Sequence, residues 1–289
     1  MAGFRNVAEL VDAELDGRGR YASFRKLPTQ NTTVGTWYDL SYAPGTPVPN
    51  YYAATPLTSV ALRRSTDIGL DHGQNVAPSS KHLRRLTIST TNAATVPAIV
   101  MLLDYLLFYA FIDEGTVDVQ SMVNTIGLPR YADGGGVQIM AVSVGSRSSN
   151  QTFQVTYTNS AGVAGRLSQI VSTTTNAANG SIVTSERAGL NFYSPFIPLA
   201  AGDEGVRSVE SVQMISGTDV GLFTLVLVKP LADAQIRGVD APVEIDYLLD
   251  TNSAPIIVDD AYLNLLIQSG TGSLAAAQIF GDIYTTWSV

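Results

Sequence analysis

The chain has no cysteine, so disulfide frameworks, thiolate metal sites and cysteine nucleophiles are excluded. Histidine is almost missing: His72 and His82 are the only two in 289 residues, which excludes a three-histidine metal site within one chain. Charge is scarce as well. Charged residues make up 15% and apolar residues 45%, whereas an ordinary globular domain has roughly a quarter charged. A disordered chain needs the opposite bias. Net positive charge is also lacking, with a formal charge of −8. Nucleic-acid binders need a positive field to displace counterions from phosphate, so direct nucleic-acid binding is not expected.

Uninterrupted apolar runs of membrane length are missing too. In the first 24 residues Glu9, Asp12, Glu14 and Asp16 break what would be the apolar region of a secretory signal, so none is expected. The most apolar run, VPAIVMLLDYLLFYAFI (96–112), carries Asp104 in its middle and Pro97 near its start. It just reaches the length of the shortest spanning helix, about 17 residues. A carboxylate at bilayer depth costs about 2.5–3.5 kcal/mol, and no Lys or Arg closely flanks the run. It reads as buried protein core. Its proline, branched and aromatic content favours a strand, although 101–107 also fits a helix. No membrane association is expected.

Catalytic motifs are missing. There is no GxxxxGK[ST], no strand–GxGxxG–helix unit, no HExxH and no GxSxG, and the triple glycine at 134–136 precedes a strand. His72 follows Asp71, as a base beside its orienting carboxylate would, but a loop or interface histidine has the same appearance. The adjacent pairs Asp113-Glu114, Asp203-Glu204 and Asp259-Asp260 point to opposite faces if they lie on strands, so they do not converge as a glycosidase dyad must. Loop acids such as Asp203 and Asp219 offer calcium ligands in principle, without EF-hand spacing. Asn-x-Ser/Thr at Asn31, Asn150 and Asn179 reads as chance without a secretory signal. No catalytic residue, metal site or cofactor is assigned, and the expectation is a protein that is not an enzyme.

What the sequence does contain is strand pattern, proline and aromatic rings. Val7, Leu10, Val11 and Leu15 space one apolar stripe on a short N-terminal helix over 6–16, stopped by Gly17 and Gly19. Residues 27–80 hold Pro28, Pro44, Pro47, Pro49, Pro56 and Pro78, which preclude long helices and predict an extended, loop-rich arm. The many rings in that arm need a surface to wrap, either the chain's own core or a partner. From 86 onward short strands are predicted at 86–91, 137–144, 152–158, 165–173, 181–185, 208–215, 221–229, 243–248, 261–268 and 278–287. In TFQVTYT, Phe153, Val155 and Tyr157 alternate with polar residues, the period of a strand with one wet face. About ten such strands without alternating helices predict an all-β, antiparallel, jelly-roll-like β-sandwich. Its body spans 86–289, and the helix and proline-rich arm occupy 1–85.

Basic residues are concentrated early: 1–85 carry ten against seven acids, a net of +3, and 86–289 carry a net of −11. The densest group, Arg63, Arg64, Lys81, Arg84 and Arg85, reads either as solvated or internally paired charge or as a basic arm that docks on an acidic neighbour. The rings could form core, a sugar-stacking platform or subunit contacts. Trp37, Tyr42, Tyr51 and Tyr52, together with Arg63, Arg64, Arg84 and Arg85, are the candidate protein-interface residues.

Several phrases go further. WYDLSYAPGTPVPNYYAATPL (37–57), SSKHLRRLT (79–87), LLDYLLFYAFIDEGT (102–116), GLPRYADGGGVQIMAVSV (127–144), QVTYTNSAGVAGR (154–166), SPFIPLAAGDEGVRSVESV (194–212), GLFTLVLVKPLA (221–232) and the closing GDIYTTW resemble virion structural proteins of tailed bacteriophages. The resemblance implies a virion component assembled in the bacterial cytoplasm, a reducing compartment that suits a cysteine-free chain. It implies a capsid decoration or cement role, a homo-oligomer with a trimer favoured, and the major capsid protein as partner. A tail or fibre component that binds a host glycan and the major capsid protein itself are the alternatives, the latter lacking an obvious long spine helix; a polysaccharide-degrading enzyme is the least favoured, because no catalytic constellation is found.

Overall fold

The computed structural model describes residues 4–174, 178–185, 194–217, 219–251, 254–270 and 272–289. Helix α1 (Val7–Leu15) opens the chain, followed by β1 (Gly19–Lys26), β2 (Trp37–Asp39), β3 (Gly45–Thr46) and β4 (Ser59–Ala61). A single-turn helix α2 (Arg64–Asp67) leads to β5 (Lys81–Thr90), β6 (Ala98–Asp113) and β7 (Gln120–Ser121). Next come β8 (Gln138–Gly145), β9 (Thr152–Asn159), β10 (Arg166–Leu167), β11 (Val171–Ser172) and β12 (Val206–Met214). The chain ends with β13 (Leu222–Ile236), β14 (Val243–Asp246), β15 (Ile256–Ile257), β16 (Leu263–Ser269) and β17 (Ile279–Trp287).

The fold is all-β and antiparallel, built from three sheets. A central sheet runs β2-β16-β6-β13-β8, with β4 beside β6. A terminal sheet runs β14-β5-β17-β1-β3, and a distal sheet runs β10-β9-β12-β7. The apolar run that a membrane helix would resemble is the 16-residue strand β6, the middle of the central sheet. Both its faces are covered, so it reads as continuous apolar sequence rather than as alternation. Asp104 within it accepts from Arg130 Nε at 2.9 Å and Nη2 at 2.6 Å, and from the Tyr262 amide at 3.0 Å. That pairing is how a buried carboxylate is tolerated there.

One face of β6 contributes Ala98, Val100 and Leu102 to a core shared with the terminal sheet (Phe24, Leu86, Ile88, Ile283). Leu107 and Tyr109 contribute to a second core shared with the distal sheet (Phe153, Val155, Val209, Val212). A register shift against β13 between Tyr105 and Leu107 keeps both groups on one face despite the change from even to odd numbers. The two smaller sheets therefore pack side by side on the same side of the central one. The other face, with Leu103, Tyr105, Phe108 and Ala110, forms a third core together with Trp37 of β2, Ile182 bridged to β8, Tyr52 and Leu62.

The proline-rich segment wraps the chain's own core. Its strands β2 and β4 join the central sheet, and β1 lies between β17 and β3 in the terminal one. Residues 1–85 and 86–289 thus share sheets and cores. Two predicted strands differ in detail. Residues 181–185 form only isolated bridges, Ser181 with Tyr38 and Ile182 with Val142, and 165–173 divides into the two-residue β10 and β11. Strand β13 extends past the predicted 229, with Pro230 beside a register shift where a missing N–H is tolerated.

Candidate functional site

The side chains that carry chemistry hold the fold together. His72, fully buried, contacts the Ala261 carbonyl through Nε2 at 3.0 Å and receives a hydrogen bond from Lys81 Nζ on Nδ1 at 3.0 Å. These two contacts are satisfied together by the neutral ring with its proton on Nε2. Burial, then the nearby Lys81 and Arg64 charges, push its pKa down to about 3. Asp71 does not orient it; that carboxylate receives Arg20 and Arg64 instead. The adjacent acid pairs are likewise committed separately. Glu114 binds Arg147, Asp203 binds Tyr157 and Arg166, Asp259 accepts the amides of Val76 and Ala77, and Asp260 accepts Ser65. Asp219, considered as a calcium ligand, caps the amides of Ser148 and Ser149. Among the described residues no three His, Asp or Glu side chains converge as metal ligands.

A stability prediction follows from His72. Its folded pKa lies below the unfolded value of 6.5, so below pH 6.5 the unfolded chain binds the extra proton and stability falls with pH. Urea midpoints are expected to decline between pH 6.5 and 4.5, and His72→Gln, which cannot titrate, is expected to flatten that decline.

The eight candidate interface residues occupy separate places. Trp37 and Tyr52 are inside the chain, 4% and 0% exposed. The Tyr52 hydroxyl donates to buried Asp39, which also accepts from Tyr105 at 2.7 Å and from Ser41 Oγ at 2.8 Å. Burial drives Asp39 up despite those donors. Tyr42 and the exposed Tyr51 meet edge to face, 4.9 Å between centroids. Arg63 lies 3.6 Å from Asp260 and Arg64 lies 3.0 Å from Asp71. Arg84 pairs with Asp246, and Arg85 donates to the Tyr21 hydroxyl at 2.8 Å and lies 3.6 Å from Glu244. The basic cluster is largely paired within the chain.

Arg84 and Arg85 sit on the outer face of the terminal sheet, the surface with most to offer a partner. A register shift on β5 between Leu83 and Arg85 lets both arginines project outward, while Leu83 and Leu86 point inward. Helix α1 lies across one end of this face. Asn6 caps it by accepting the Glu9 amide at 3.0 Å, and Glu9 accepts the Arg5 amide at 2.8 Å. Leu10 and Ala13 pack inward and the Tyr284 hydroxyl donates to Glu14. The predicted single stripe is divided, because the helix rests on this narrow Leu10–Ala13 face. Val7, Val11 and Leu15, 68%, 49% and 80% exposed, form a second row one turn apart that faces outward. Exposed Leu248 lies across a groove of about 340 Å³ from Val7. Asp12 and Glu14 border the row.

Beyond the helix no described residue caps the sheet face, and Phe280, Asp282, Thr87 and Ser23 line a cleft there. The sequence reading does not single out these residues. Their signal is the alternation along 279–287, which puts Phe280, Asp282 and Tyr284 on one face, and along 19–26, which does the same for Tyr21, Ser23 and Arg25.

No family model matches the chain, and no curated protein matches it. A solved structure, that of infectious bursal disease virus Gt strain, aligns at 9% identity over 93% of this chain and 79% of that one, with a TM-score of 0.18. At that score the likeness carries no argument about fold or function.

Proposed function

We propose that the chain is a non-enzymatic component of a tailed-bacteriophage particle, a capsid decoration or cement protein that clamps neighbouring shell subunits. The phage assignment rests on the sequence phrases quoted above. The observation that carries a contact role is the outward row Val7–Val11–Leu15, three apolar side chains left in water by a capped helix anchored to a rigid sheet. Covering each would contribute about 1.5–3 kcal/mol, a gain that no described residue of the chain supplies and a neighbour would. Asp12 and Glu14 favour a neighbour with a basic rim, and such complementarity sets orientation more than affinity. The internal commitment of the titratable groups fits a scaffold better than a reaction site. Among the described residues the longest helix has nine residues, which sets the major capsid alternative, with its long spine helix, behind the cement reading.

The triple variant Val7→Gln, Val11→Gln and Leu15→Gln tests this role. Because these side chains are already exposed and glutamine is a good helix former, each change is expected to alter monomer stability by less than about 0.5 kcal/mol. Self-association in sedimentation and binding to particles that lack this chain are expected to be lost. Unchanged association would remove α1 from the contact.

A further inference from the structure

We propose that the open half of the terminal sheet's outer face is a binding site for a neutral carbohydrate. This goes beyond the cement role and does not depend on it. The strand register builds the site. Across β14, β5, β17 and β1, one level reads Asp246, Arg85, Tyr284, Tyr21, and the next reads Glu244, Thr87, Asp282, Ser23. A third level places Ser89, Phe280 and Arg25 side by side. Helix α1 meets the first level through the Glu14–Tyr284 bond. Ser23, Thr87 and Asp282 of the second level, without Glu244, and all three residues of the third line a cleft of about 640 Å³, a volume within the ordinary range for small-ligand sites.

Four features of that cleft point to one ligand chemistry. Ser89 lines it and is 3% exposed, yet its hydroxyl has no hydrogen-bond partner. A buried hydroxyl left unpaired is unfavourable, and a ligand hydroxyl reaching it would relieve that cost. Asp282 has Arg85 Nη2 at 3.9 Å, outside hydrogen-bond reach, so the carboxylate is open to donors. Phe280 stands between them, half-buried, with its ring beside the polar groups. The two charges on the lining, Arg25 and Asp282, cancel, so neither a polyanion nor a polycation gains from the field.

A pyranose meets all four conditions. It is uncharged, has an apolar C–H face for the phenyl ring, and carries hydroxyls at its rim that both donate and accept. Asp282 accepts from such hydroxyls, Arg25 donates to them, and Ser89, Thr87 and Ser23 do either.

The test uses the full chain with maltohexaose, cellohexaose, mannohexaose and N-acetylchitohexaose, each at about 10 mM, enough to detect a dissociation constant of about 1 mM. Saturation-transfer NMR and calorimetry are the readouts. At least one of the four is expected to bind. Phe280→Ala and Asp282→Asn are each expected to weaken it tenfold or more, and Ser89→Ala measurably. Asp282→Asn is isosteric on a solvent-facing position, and an unchanged melting temperature would show that it folds. The α1 triple variant is expected to bind as the natural chain does, which keeps the outcome separate from the cement reading. Silence from all four sugars, or binding that survives both Phe280→Ala and Asp282→Asn, would overturn the site.

Discussion

A chain lacking residues 1–56 is expected not to fold, rather than to lose an arm from an intact body. The deletion removes β1, an interior strand of the terminal sheet, and leaves β17 with an unpaired edge. It also removes Phe24, Tyr38, Leu40 and Tyr52, each 3% exposed or less. Truncating one buried large aromatic typically costs 3–5 kcal/mol. A domain's whole stability is about 5–15 kcal/mol, so losing three such rings, about 9–15 kcal/mol in all, consumes most or all of the margin before the broken sheet is counted. Near-ultraviolet circular dichroism and urea titration decide the matter: the truncated chain should show no cooperative transition. A folded 57–289 body would contradict the shared cores described here. Removing only 1–17, which takes α1 with its two buried side chains Leu10 and Ala13, is expected to leave a folded chain.

The second large effect concerns Glu114 and Arg147, whose side chains are both fully buried. Arg147 donates from Nη2 at 2.5 Å and Nε at 3.0 Å, tying the end of β6 to the segment after β8. The fit around the pair is close, since a Cβ at Gly221 would come within 2.7 Å of the Glu114 carboxylate. Arg147→Met or Glu114→Gln leaves one buried charge without its partner and is expected to cost about 3–5 kcal/mol. For a chain of 289 residues that corresponds to a melting temperature lower by about 5–8 °C. The double replacement Glu114→Leu with Arg147→Met removes both charges and is expected to recover most of the loss. A double variant as unstable as the sum of the singles would mean that the pair matters through shape and not through charge.

The parts of the fold legible in the sequence are those where period and composition agree. The alternation of 152–158 and the branched residues at 86–91 correspond to β9 and β5, and the Asn6 cap with Gly17 brackets α1. Strand β6 was ambiguous because burial on both faces erases alternation; Asp104 looked like an interruption and is instead the anchor for Arg130. Within 27–80 the prolines correctly exclude long helices, but proline spacing carries no information about whose core the rings enter. Trp37 and Tyr52 enter their own. Charge clustering had the same limit. Arg63, Arg64, Arg84 and Arg85 are close in sequence, yet their partners Asp260, Asp71, Asp246 and Glu244 come mostly from distant segments, and only the fold brings them together. The outer sheet face becomes readable only once β1, β5 and β17 are placed in register, since β1 and β17 lie more than 250 residues apart in the chain.

The most direct test of the account is the survival of phage particles assembled with and without this protein under heating and osmotic shock. If the chain clamps shell subunits, particles without it release DNA at lower temperature and after milder shock, and adding back the natural chain, but not the α1 triple variant, restores resistance. Equal survival of the two kinds of particle would contradict the clamp.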